Sequence, residues 1–247
     1  MKPGFKGPVL IVGARSDIGQ AVARAYAAAG ADLFLAARQA SSLGPLRSDI
    51  ALRHGVNVDL MDYDLLAAEP EHLVERLPVL PETVVMMAGL LGKQEQSAAH
   101  PQIADVVMRT NFVAPARLLL ALAARMQARG SGTIIGVSSV AGDRGRGSNY
   151  IYGASKAGLT AFLSGLRNSL AASGVHVLTV KPGFVRTRMT EHMTLPRRLT
   201  AEPEEVARAI LRAHLARKDV IYVRPIWRVI MMIVRALPEP LFKRASL

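Results

Sequence analysis

Ser139, Tyr152 and Lys156 are the residues whose types and spacing can move a proton. They stand in Gly136-Val-Ser-Ser-Val-Ala-Gly142 and Tyr152-Gly-Ala-Ser-Lys156. Tyrosine and lysine four apart project from one face of a helix, one above the other. An ammonium beside a phenol favours the phenolate, so Lys156 is expected to lower the Tyr152 pKa from its ordinary value of about 10. A phenol tuned that way can pass a proton to a carbonyl oxygen near neutral pH. Ser139 ends an apolar run over 133–137 that reads as a buried strand, where its hydroxyl can hold a substrate oxygen. Tyr-x-x-x-Lys is common on helix surfaces, so its meaning rests on the elements that position it.

Those elements alternate. Strands are expected over 9–12, 32–36, 56–60, 83–87, 133–137 and 176–180, and helices over 18–29, 71–77, 103–129 and 152–172. Gly30, Gly130 and Gly174 stand where helices stop. Such βαβα order predicts an α/β protein, a single doubly wound Rossmann-type domain with a parallel sheet. The domain is expected over 1–220, with a substrate lid over about 186–205 and an amphipathic, apolar and basic C-terminal extension over 221–247.

Composition narrows the function. The chain has 247 residues, half of them hydrophobic, which suits one sizeable core and excludes general disorder. It contains no cysteine, which removes disulfides, thiol nucleophiles and cysteine-based metal sites; no metal site is expected. The first eight residues are too short and too rich in Gly and Pro for the apolar core of a signal peptide. No uninterrupted apolar stretch approaches the ~18 residues that span a bilayer. A cytoplasmic protein is expected, peripheral on the inner face of the cytoplasmic membrane. The net charge of +12 suits phosphorylated ligands or an anionic membrane surface. Nucleic acid is not expected, because the basic residues form no block and aromatics make up only 5% of the chain.

Between the first strand and helix stands Gly13-Ala-Arg-Ser-Asp-Ile-Gly19, a turn through which backbone can approach a pyrophosphate at a helix N-terminus. Asp17 occupies a place where many such loops have glycine. Strand two ends in Leu35-Ala-Ala-Arg38, with no acid for ribose hydroxyls and with an arginine. Arg15 and Arg38 together favour NADP(H), with NAD(H) the alternative. Asp62 is placed to accept a hydrogen bond from an adenine amino group, and Lys181-Pro-Gly-Phe-Val-Arg-Thr187 to close over a nicotinamide.

With these pieces assembled, the chain resembles the short-chain dehydrogenase/reductase family from Val9 to about Thr187. Ser139 precedes Tyr152 by the family's spacing, and Asn111 in Thr110-Asn-Phe-Val-Ala matches the family's helix-four asparagine. The resemblance implies that Tyr152 is the general acid and that Ser139 orients the carbonyl. It gives Lys156 the Tyr152 pKa and the nicotinamide ribose, and Asn111 a water that links Lys156 to a proton relay. Pro182, Val185 and Thr187 would place the carboxamide. The implied cofactor set also includes Gly13, Ser16, Ile18, Gly19, Tyr63, Ala88, Gly89 and Gly183. The family's Asn-Asn-Ala-Gly is Met86-Met-Ala-Gly89 here, so a sheet-stabilising amide contact is lost or replaced.

A narrower likeness is to the decaprenylphosphoryl-2-keto-ribose reductases, through Gly89-Leu-Leu-Gly92, Gly142-Asp-Arg-Gly-Arg146, Arg186-Thr-Arg-Met189 and the Trp227–Arg235 segment. It implies a lipid-linked phosphosugar substrate and a flavin-dependent oxidase partner. Arg144, Arg146, Arg186 and Arg188 lie in loops expected to border the pocket, where guanidiniums suit a phosphodiester. The tail places Trp227 and several cations beside an apolar run, which suits a membrane interface, or packing on the domain or a second subunit. Small residues along 152–172 (Gly153, Gly158, Gly165 among them) predict close helix pairing in a homo-oligomer. A general carbonyl reductase for hydrophobic ketones and a non-catalytic NADP(H)-binding membrane-surface protein are the alternatives.

Overall fold

The computed structural model describes residues 7–244. The first strand, β1 (Val9–Val12), is buried along its whole length, and its side chains alternate between two cores. That pattern belongs to a parallel strand covered on both faces. It is followed by β2 (Leu33–Ala37), β3 (Val58–Asp62), β4 (Thr83–Met86), β5 (Gly132–Val137) and β6 (Val175–Lys181). A two-stranded ribbon, β7 (Phe184–Val185) with β8 (Thr200–Ala201), precedes the last strand, β9 (Val220–Tyr222). The main sheet is parallel in the order β3-β2-β1-β4-β5-β6-β9, as the sequence predicts for a doubly wound domain. Strand order reverses between β1 and β4, and such a switch point opens a ligand crevice at the carboxyl ends of the strands.

Helices α1 (Asp17–Ala28) and α2 (Gly44–His54) pack on the Val9/Ile11 side of the sheet. On the Leu10/Val12 side lies α3 (Pro70–Arg76). After β4 come α4 (Gln94–Ala99) and α5 (Pro101–Met108), then α6 (Ala114–Arg129) and α7 (Tyr150–Ser169), which complete that second layer. Helix α8 (Pro203–Leu215) returns to the first layer through Val206, Ala207, Ile210 and Ala213. Helices α9 (Ile226–Ala236) and α10 (Glu239–Phe242) close the described chain. The outlying residues 1–6 and 245–247 of the expected domain and extension lie outside the described residues.

Three departures from expectation have physical causes. The helix expected over 103–129 is α5 and α6 joined by a π turn over Arg109–Val113. Pro115 has no N–H to donate to the Asn111 carbonyl, so regular α-bonding is interrupted there. The whole helical segment Pro101–Arg129 is, by length and composition alone, long and apolar enough to cross a membrane. Leu118, Leu119, Leu122 and Met126 of that segment are nonetheless buried against the sheet. Helix α2 carries little periodic signal in the sequence because it buries only Leu46 and Ile50, one turn apart. Strand β9 crosses the expected boundary at 220/221 and pairs Tyr222 with Lys181. The extension also packs back on the domain: Trp227 and Met231 are buried against Val140, Phe184 and Leu199.

Candidate active site

Ser139 leaves β5 in extended conformation, and its Oγ accepts a hydrogen bond from the Ala141 amide at 3.1 Å. Its hydroxyl also bonds the Tyr152 phenol. Close backbone approach makes this meeting possible. A Cβ on Gly142 would lie 2.7 Å from the Ala157 nitrogen, and one on Gly153 would lie 2.9 Å from the Ala141 carbonyl oxygen. Likewise Gly158 faces the Phe112 ring. Two of the small residues expected to serve helix pairing, Gly153 and Gly158, therefore seat α7 against its own subunit. Ala154, Ala161, Ser164 and Gly165 stay on the exposed face.

Lys156 is buried, and its Nζ donates to the Val137 carbonyl at 3.0 Å. Loss of water around the ammonium holds its pKa down to about 8. Burial likewise pushes the Tyr152 pKa up, with the Ser139 hydrogen bond opposing. This corrects the expected lowering by Lys156. Its Nζ is 5.9 Å from the Tyr152 ring centre and points its hydrogen bond elsewhere, so desolvation prevails over attraction. Asn111 is fully buried in the π turn. Its amide donates to the carbonyls of Leu90 (2.7 Å) and Val107 (2.9 Å) and accepts from the Leu90 amide at 3.0 Å. The side chain thus fixes the segment after β4, a role the sequence reading did not include.

A cleft of about 520 Å³ runs along the carboxyl ends of β1, β2 and β4. Gly13 turns the chain there with φ +90°, and a Cβ on it would lie 2.9 Å from the Ala88 nitrogen. Ser16 caps α1 by accepting from the Gly19 amide at 3.0 Å and donating to the Gly13 carbonyl at 2.8 Å. Gly19 itself does not line the cleft; a Cβ on it would meet the Gly13 oxygen at 2.6 Å, so it keeps the loop compact. Arg15, Ser16, Asp17, Ile18, Ala88 and Gly89 line the cleft as expected. Arg38 lines it too, next to Ala37 rather than an acid, and Arg15 reaches across to the Arg38 carbonyl at 3.1 Å.

Asp62 stands at the edge of the cleft. It closes β3 with its carboxylate 3.5 Å from the Ala40 amide, whereas Tyr63, Asp64 and Leu65 form the cleft wall. At the end of β4 successive side chains point to opposite sides. Met86 goes into the core and Met87 into the cleft, while the Met87 amide keeps the bond to the Val12 carbonyl at 2.9 Å.

The cleft continues into a smaller cavity of about 150 Å³ through shared Ile18, Met87, Gly89, Val137 and Thr187. Ser139, Tyr152 and Lys156 line it, together with Pro182, Gly183 and Val185. A glycine cradle with no room for a Cβ, a capped helix and two arginines at the far end fit a phosphorylated dinucleotide.

The four arginines expected around a substrate phosphate separate. Arg146 lines the small cavity; its Nε is buried with no hydrogen-bond partner, and burial lowers its pKa. Arg144 does not line it. Its guanidinium donates to the Val234 and Leu237 carbonyls at 2.6 Å and to Glu239 at 2.8 Å, and stacks on Phe242. It caps α9, whose terminal carbonyls would otherwise lack partners. Arg186 is exposed and pairs with Glu202 at 3.0 Å. Arg188 lines the dinucleotide cleft and pairs with Asp17.

Two features had no clear signal in sequence. Asn149 lines the small cavity with a buried, unpartnered Oδ1. Lys181 forms a buried pair with Asp143 at 2.5 Å, and the Tyr222 hydroxyl donates to the same carboxylate at 2.7 Å. The Tyr222 phenol is pushed up to about 12 by burial and by that carboxylate. These contacts tie the loop bearing Arg146 to β6 and β9.

A parallel sheet with a dinucleotide cleft at its switch point, and a Ser/Tyr/Lys set at the end of β5, defines a nicotinamide-dependent oxidoreductase. The model of the short chain dehydrogenase family matches residues 8–197. The chain belongs to the short-chain dehydrogenase/reductase family and is an NAD(P)-dependent enzyme of it. It is 39% identical to an uncharacterized oxidoreductase of Mycobacterium tuberculosis, with 96% of each chain covered. It is 26% identical to the bulky-bulky ketone specific alcohol dehydrogenase of Comamonas testosteroni, with a TM-score of 0.78 over 95% of this chain and 96% of that one. A short-chain dehydrogenase of Sphingobium yanoikuyae, solved in complex with NADPH, is 27% identical with a TM-score of 0.76, covering 94% and 97%.

Proposed function

We propose that this enzyme reduces the 2-keto group of a polyprenyl-phosphoryl pentose, with NADPH preferred, to give polyprenyl-phosphoryl arabinose. One observation carries the reading: Arg146, a half-buried arginine, faces the Ser139/Tyr152 cavity with its Nε buried and unpartnered. An unsatisfied charged donor is expensive to keep inside a protein unless a ligand completes it, and a phosphodiester oxygen does so. Leu91, Val140, Phe184, Met193 and Trp227 add apolar wall for the lipid. The preference for NADPH rests on Arg15 and Arg38 at the end of β2.

The bound nicotinamide supplies the hydride. The chain's own residues handle the proton and the geometry. Ser139 holds the carbonyl oxygen, and Tyr152, kept protonated across neutral pH by burial, donates to it. Lys156 is held within the buried site by Val137.

The substrate ketone has to come from oxidation of the corresponding 2-hydroxyl, which gives a flavin-dependent oxidase partner a place beforehand. The outer face of α9 leaves Ile226, Val229, Met232 and Ile233 exposed. With Arg228, Arg235, Lys243 and Arg244 beside them, they suit an anionic membrane surface. Peripheral docking on the inner face of the cytoplasmic membrane, and a homo-oligomer through the exposed small face of α7, belong to the same reading. The apolar walls favour a second reading, a carbonyl reductase for another bulky hydrophobic ketone.

The deciding assay follows NADPH oxidation by the purified enzyme with the polyprenyl-phosphoryl 2-keto-pentose and with uncharged ketones. Arg146→Leu should raise KM about tenfold or more for the phosphorylated substrate and leave the ketones' KM unchanged. Turnover of the simple ketones alone would promote the second reading.

A further inference from the structure

An acid lies on the anion-binding turn. Asp17 is the first residue of α1 and lines the dinucleotide cleft beside Ser16, where a pyrophosphate is to be received. A carboxylate there opposes the phosphate charge that the helix N-terminus attracts. Yet its charge does not stand alone. Across the cleft, the Arg188 backbone N–H donates to Asp17 Oδ2 at 2.7 Å and its Nε to Oδ1 at 2.9 Å. A third bond runs from Arg188 Nη2 to the Arg15 carbonyl at 2.6 Å. The bonds join the glycine loop to the segment after β7, in which Thr187 faces the catalytic cavity. Thr187 and Thr190 hold that segment in a short capped turn.

We propose that Arg188 is a positioning residue for the cofactor, acting through Asp17. It neutralises the acid on the phosphate turn and bolts the nicotinamide-side loop onto the glycine loop. The inference rests on the dinucleotide reading of the cleft. It differs from the expectation that Arg188 holds a substrate phosphate, and it gives Asp17 a purpose where a glycine would be simpler. The pair joins the glycine loop to the segment bearing Thr187 and does not include Arg38. Its effect should therefore be the same for NADPH and NADH, whereas Arg38 should distinguish them.

The test is a double-substitution cycle read by cofactor binding. Trp227 is the chain's one tryptophan and packs on Gly183 of the same cofactor-lining loop, so its fluorescence reports titration by NADPH or NADH. In the natural background, Arg188→Ala should weaken both cofactors on the order of tenfold, since it leaves a bare carboxylate on the phosphate site. In the Asp17→Gly background the same change should weaken them by less than about threefold. Melting curves for all four proteins show that each is folded before titration. Equal losses in the two backgrounds would overturn the coupling and leave Arg188 as an independent phosphate contact. No loss in either would remove it from cofactor binding altogether. A natural protein that binds neither dinucleotide would instead refute the reading of the cleft.

Discussion

Gly183→Ala is the change whose consequence can be worked furthest. A Cβ on Gly183 would stand 1.9 Å from Trp227 Cε2 and 2.0 Å from its Nε1, well inside contact distance, so the indole must leave its place. Trp227 is only 4% exposed, meets Phe184 edge-on at 5.3 Å, and donates to the Leu199 carbonyl at 3.1 Å. Overpacking of this kind costs about 1–3 kcal/mol, and the hydrogen bond contributes about 1 kcal/mol more. A total of roughly 2–4 kcal/mol corresponds to a fall in Tm of about 4–16 °C for a chain of this size. Thermal denaturation and the emission maximum of the lone tryptophan measure both halves: Tm should fall and emission should shift to the red as the indole meets water. On a Trp227→Leu background, Gly183→Ala should cost under about 1 kcal/mol, because the obstructing ring is gone. An unchanged Tm with unshifted emission would refute the packing argument. So would an equal loss on the Trp227→Leu background.

Tyr152→Phe should lower turnover by about 10²–10⁴-fold while the Kd for NADPH stays within about threefold, and unaltered turnover would remove the phenol from its role. Arg38→Ala should weaken NADPH by about tenfold or more and leave NADH nearly untouched; equal losses would overturn the preference for the phosphorylated cofactor. Lys156 has a folded-state pKa of about 8 against an ordinary 10.5, so from about pH 8 to 10 the unfolded chain holds a proton that the folded chain has released. Stability from this group rises with pH across that window, and urea titrations of wild type and Lys156→Met should diverge there; a constant difference would contradict the burial argument. Met232→Asp on the exposed face of α9 should reduce flotation with anionic vesicles without changing Tm by more than about 2 °C, and unchanged flotation would remove that face from membrane contact.

The tail helix links several of these outcomes. Its inner face closes the catalytic cavity through Trp227, its end is capped by Arg144, and its outer face is apolar and basic. Arg144 and Arg146 are two residues apart yet do unrelated work: one terminates α9, the other faces the cavity. Residue type and loop position alone do not separate them, because loop side chains take their directions from distant partners, here the carbonyls of 234 and 237.

By itself the sequence determined what is local and periodic. Apolar runs and glycine stops prescribe the alternating strands and helices, and hence the parallel sheet. The spacing of Ser139, Tyr152 and Lys156 prescribes a proton-transfer set, because a helix turn and a strand end leave those side chains few directions. Only the tertiary structure decided what depends on burial and on contacts between distant segments. Removal from water raises the Tyr152 pKa where simple proximity to Lys156 predicts a fall. Asp62 turns to the Ala40 amide, while Tyr63 and the residues after it line the cleft. Asp17 and Arg188, 171 residues apart, meet across the cofactor cleft because the loops after β1 and β7 open at the same edge of the sheet. No periodicity encodes that meeting; it exists only once the strands are in register.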